Sequence, residues 1–173
     1  MSATRRKLEE AKFFLRKLHA VDQQVIVREP ETFEFYLSAF LSAARSVTFA
    51  LQAERKEHYD SWFPKWKSAL PAEESTLLTF FNNQRVAVVH STGADVTYGS
   101  ESISLSDYLS RAWQQSEDIE ISNGVMGNPA PTFHRPRRSF EVGGTNYEVV
   151  PACTKYVELV AKLVQAFAVA FPE

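Results

Sequence analysis

"REPETFEFYLSAFLSAARSVTFALQAERKEH", residues 28–58, is the stretch whose reading decides the fold. Phe33, Tyr36, Leu37, Phe40, Leu41, Ala44, Val47, Thr48 and Leu51 recur at intervals of three and four. With about 3.6 residues per turn, that spacing gathers them on one face of a long helix. Pro30 suits a first-turn position, and Glu29, Glu31 and Glu34 suit the positive end of the helix dipole.

Upstream, Leu8, Ala11, Leu15 and Leu18, widened by Phe14, predict an amphipathic helix from about Thr4 to Ala20. Downstream, Trp62, Phe63, Trp66 and Leu70 fall on one side of a short helix, with Asp60 or Ser61 as its cap and Pro64 near its start. A fourth helix begins after Pro71, carries acidic residues in its first turn and stops at Gly93, which puts His90 in its last turn. Helical periodicity then ends. Strands are expected near Val96 and Ile103, a short helix over "SDYLSRAWQQS", and a loop over "NGVMGNPAPTFHRPRR". Phe140/Val142 and Tyr147/Val149 alternate on either side of Gly143-Gly144 and predict a β-hairpin. Pro151 opens a last helix with a broad apolar face from Tyr156 to Phe171. The expected fold is mainly α, a bundle of four to five helices forming one domain over residues 1–173, with a β-containing insertion at about 94–150.

A chain of 173 residues, 45% of them hydrophobic, can bury a sizeable core in one domain. The formal charge of −2 exerts no global pull on nucleic acid or acidic lipid, so such binding needs a local patch. "RRK" at 5–7 and "HRPRR" at 134–138, with Arg135, Arg137 and Arg138, are the two basic patches, and a solvated surface is the bland reading of both. The single Cys153 forms no internal disulfide and fits a reducing, cytoplasmic setting, and no span of about 18 apolar residues predicts a membrane crossing. No Gly-rich phosphate loop or zinc signature occurs, and the four His are scattered, so no metal or cofactor is expected.

The chemistry-bearing segment is "FFNNQRVAVVHSTG", Phe80–Gly93. Arg85 falls within the apolar stripe of the fourth helix and must snorkel or find a carboxylate; Glu34 is a candidate partner, and Arg45 lies near the same edge of the second helix. Arg85 and His90 are five positions apart and point about 140° from each other, so within one chain they do not share a face. A structural arginine beside a helix-end histidine is the bland alternative.

"RVAVVH", near the end of an internal helix of a helical bundle, resembles the arginine-to-histidine motif of HEPN domains, the "higher eukaryote and prokaryote nucleotide-binding" group. The resemblance covers residues 4–93 and 151–171. It implies a homodimer that joins two copies of the motif in one cleft, and a metal-independent ribonuclease of the toxin–antitoxin or defence kind. Arg85 would stabilise the phosphorane and His90 would take the 2′-hydroxyl proton, with Asn82, Asn83 and Gln84 orienting phosphate or base. Active members often carry a polar residue, frequently Asn, directly after the arginine, where this chain has Val86. A non-catalytic module that binds a nucleotide or a protein partner is therefore the second expectation. The third is a small-ligand site in which Trp62, Trp66 and Trp113 line a pocket between the bundle and the β insertion.

Overall fold

The computed structural model describes residues 2–24, 29, 31–90, 94–115, 133–142 and 144–172, with side chains inside two helices described only as far as Val86 and Arg111. In chain order the elements are α1 (Ala3–Asp22), α2 (Thr32–Glu54), α3 (Lys56–Ser68), α4 (Ala72–His90), β1 (Thr97–Ile103), α5 (Leu105–Gln115), β2 (Phe133–Val142), β3 (Thr145–Glu148) and α6 (Val149–Ala170). The mainly α fold with a small β insertion before the last helix is as expected. Among the described residues there are six helices rather than four or five.

The periodic face of α2 is the centre of the core: Phe33, Phe40, Ala44 and Val47 are wholly buried. Leu8, Ala11 and Leu18 of α1, Leu78 and Phe81 of α4, and Tyr156 and Val160 of α6 close around it. Phe81 lies flat on Tyr156 at 4.3 Å between ring centroids and meets Phe40 edge-on at 6.4 Å. The Tyr156 hydroxyl is buried without a hydrogen-bond partner among the described residues, and burial pushes its pKa up to about 12. Tyr156→Phe should therefore leave stability unchanged or raise it by up to about 1 kcal/mol in urea unfolding, because it removes an unsatisfied polar group and keeps the ring. A loss beyond about 1 kcal/mol would show that the hydroxyl makes a bond.

Helices α1 and α2 are tied end to end by a contact that spacing does not reveal. The Glu54 carboxylate, closing α2, accepts the Ala3 N–H at 2.5 Å, the Thr4 N–H at 3.3 Å and the Thr4 hydroxyl at 2.7 Å. It thereby satisfies first-turn donors of α1 with a negative charge at the positive end of that helix. Ser2 caps the same end through the Arg5 N–H.

Helix α3 begins at Lys56, earlier than the expected cap at Asp60 or Ser61, so Pro64 stands inside it rather than near its start. Trp62 packs on Phe167 of α6 and on Phe171 just past its end, and Trp66 stacks on Trp62 and Phe63, so these two rings join the core between α3 and α6 where a pocket beside the β insertion was expected. The side chain of Trp113 lies outside the described residues. So do Pro30 and Gly93, the expected start and stop of α2 and α4; α2 begins at Thr32.

The strands form one antiparallel sheet in the order β1-β2-β3. Thr97 pairs with Ser139 and Ile103 with Phe133; on the other side Ser139 pairs with Glu148 and Val142 with Thr145. Gly144, at φ 80°, makes the left-handed turn that the expected hairpin requires. Two expectations are corrected here. The two strands foreseen near Val96 and Ile103 are one, and "HRPRR" is not loop but the first half of β2. Pro136 is tolerated because β3 pairs only from Ser139 onward, leaving one edge of β2 open at that point among the described residues. Phe140 anchors the sheet on the bundle, wholly buried and 5.1 Å from the Phe80 ring. Among the described residues no helix is long and apolar enough to cross a membrane.

Candidate functional site

Helix α4 carries the motif and ends at His90, so the histidine occupies the expected last turn. The side chain of His90 lies outside the described residues. Arg85, five positions earlier, is half-buried. Among the described residues no carboxylate stands within ion-pair distance of it. Glu34, its expected partner, is exposed and accepts a hydrogen bond from the Tyr98 hydroxyl of β1 at 2.5 Å. Burial together with that carboxylate pushes the Tyr98 pKa up to about 12. Val86, the residue after Arg85, is 50% exposed, an apolar side chain on the surface.

The three residues before Arg85 differ from one another. Asn83 is exposed and free to meet a ligand. Gln84 is buried, and its side-chain carbonyl accepts the Asp95 N–H at 2.8 Å, tying the end of α4 to the chain that leads into β1. This structural bond replaces the phosphate- or base-orienting role expected of Gln84. Asn82 is half-buried, and its Oδ1 has no donor among the described residues.

Arg45 of α2 is half-buried. Its guanidinium donates to the Thr48 hydroxyl at 2.8 Å and lies 4.4 Å from the centre of the Phe49 ring. Asn82 and Arg45 meet in a cavity of about 390 Å³ between α2, α3 and α4, walled by Phe49, Tyr59 and Phe63. Burial, partly countered by Arg45, pushes the Tyr59 hydroxyl up to about 12. Both polar residues stand out in the sequence, but their meeting does not, because they are 37 positions apart and belong to different helices. The available signal was an arginine and an asparagine, each at the rim of an apolar helical face.

The arginines of "HRPRR" are not a free basic loop. Arg135 pairs with Glu101 at 3.0 Å, Arg137 with Glu148 at 3.4 Å and Arg138 with Asp22 at 3.6 Å. Arg138 is buried and also lies over the Phe33 ring at 4.1 Å. Of the three, only Arg137 keeps most of its side chain in solvent, at 57% exposure. Any phosphate contact from β2 thus falls chiefly to Arg137. Cys153 is fully buried and burial raises its pKa well above the usual range, so the thiol is inert packing and not a nucleophile.

Comparison with protein-family models, with curated proteins and with solved structures found no match.

Proposed function

We propose that this chain is a HEPN-like protein that binds RNA as a homodimer and cleaves it without metal, with Arg85 and His90 of two chains in one cleft. The observation supporting this reading is the state of Arg85: half-buried near the end of α4, with no carboxylate partner among the described residues. An arginine kept for structure at such a position would be paired, because an uncompensated, partly desolvated charge costs stability. A guanidinium left available suits the transient negative charge of a phosphorane. The 2′-hydroxyl of the ribose attacks the adjacent phosphorus as His90 takes its proton. The bond from phosphorus to the 5′-oxygen of the next nucleotide breaks, that oxygen is protonated, and the upstream fragment ends in a 2′,3′-cyclic phosphate.

Two measurements test the binding half of this reading. Sedimentation at micromolar concentration should find a dimer, and a labelled single-stranded RNA should bind more weakly to Arg85→Ala than to the natural chain. A strict monomer would remove the composite cleft.

The exposed Val86 favours a second reading, in which the same dimer binds a nucleotide, an RNA or a protein partner without cutting. In that case Val86→Asn is the substitution expected to produce cleavage where the natural chain has none.

A further inference from the structure

We propose that the cavity between α2, α3 and α4 binds a small anion carried on a flat ring, such as a nucleoside monophosphate or an aromatic carboxylate. The inference is independent of the Arg85 reading and needs no RNA cleavage.

Three features of the cavity define the ligand. The first is an unneutralised cation. Arg45 is half-buried and spends one N–H on Thr48, and among the described residues no carboxylate pairs with it. Asp60 also lines the cavity, but its carboxylate is engaged by Lys56 and by the Gln52 amide at 2.6 Å, and these two bonds lower its pKa. A guanidinium has five N–H donors in a planar fork, so Arg45 retains donors suited to a carboxylate or phosphate.

The second is an unused acceptor. Asn82 lines the cavity, and its Oδ1, covered by protein, has no donor among the described residues, so a ligand that carries an N–H or O–H beside its ring would satisfy it once the amide turns toward the cavity. The third is the wall. Tyr59 and Phe63 lie almost parallel, 12° apart with centroids 4.9 Å from each other, and Phe49, under the Arg45 guanidinium, lines the same cavity. Flat, apolar walls with a few convergent polar groups are the usual make-up of a small-molecule site, and about 390 Å³ suits a ring with one charged substituent.

Titration calorimetry of the full chain decides the matter. One arm uses AMP, GMP, CMP and UMP, and the other uses 4-aminobenzoate and indole-3-carboxylate; inorganic phosphate and uncharged nucleosides are controls for the two halves of the ligand. Binding tighter than about 1 mM is expected in one arm, with the controls at least about tenfold weaker. The arm that binds identifies the source of the anion. Arg45→Gln should weaken it about 10- to 100-fold, the effect of a lost charge-assisted bond. If Arg45→Gln does not fold, Phe49→Ala, at a side chain already 47% exposed, and Asn82→Leu replace it, each expected to weaken binding several-fold. Absence of binding in both arms overturns the proposal, as does binding that these variants leave unchanged.

Discussion

Arg85→Ala and His90→Ala should each lower cleavage of single-stranded RNA by about 10²–10⁴-fold, the contribution usual for one positioned acid–base or charge-stabilising group. The two losses should not multiply, because groups that act in one step are strongly non-additive. A readout of fold separates this result from mere damage. Arg85 has no carboxylate partner among the described residues, so its removal strands no buried charge, and Arg85→Ala should unfold within about 1 kcal/mol of the natural chain. An early-melting Arg85→Ala would instead indicate a structural arginine.

Arg138→Met should have the opposite signature, a large loss of stability. The Arg138 side chain is 6% exposed, and its guanidinium pairs with Asp22 and covers the Phe33 ring. Breaking a buried pair from one side leaves the other charge uncompensated, at a cost of roughly 3–5 kcal/mol. The lower end is expected, since Asp22 keeps 20% of its side chain in solvent. Urea unfolding at neutral pH measures it directly.

The pH dependence supplies the sign. Burial raises the Asp22 carboxyl above its ordinary 3.8, and Arg135 and Arg138 oppose that rise. A carboxyl with a raised pKa is protonated in the folded state where the unfolded chain has already lost the proton. Its contribution to stability therefore falls as the pH climbs from about 3.8 through the folded value. Without Arg138 the rise is larger, so the deficit of Arg138→Met should shrink when the pH is lowered toward 4. The double variant Asp22→Leu/Arg138→Met should recover most of the loss, because Arg138 Nε lacks an acceptor among the described residues and the buried pair is imperfectly satisfied.

Much of the fold was legible because it rests on local periodicity. Phe33 to Leu51 falls on one buried face because a helix repeats every 3.6 residues or so, and the hairpin that pairs Val142 with Thr145 shows its alternation and a turn glycine, Gly144, together. What escaped depends on partners distant in sequence. "HRPRR" has the composition of a solvated loop, yet Glu101, Glu148 and Asp22, from β1, the end of β3 and the end of α1, neutralise its charges and allow a strand. Glu54 looks like a solvated helix end until it caps α1, 51 residues away.

The candidate site divides along the same line. The placement of Arg85 and His90 on one helix could be read from the chain, because both lie within a single periodic segment. The partner of Glu34 could not, since Tyr98 arrives from the sheet. Nor could the burial of Gln84 or the meeting of Arg45 with Asn82, which depend on how α2, α3 and α4 pack.

The most direct test of the central proposal is the chemistry of the product ends. Purified natural chain is incubated with single-stranded RNA in EDTA, and the fragments are identified by mass spectrometry. Upstream fragments ending in a 2′,3′-cyclic phosphate and downstream fragments beginning with a 5′-hydroxyl are the predicted result. RNA left intact at stoichiometric protein, or ends bearing a 3′-hydroxyl, would contradict the account.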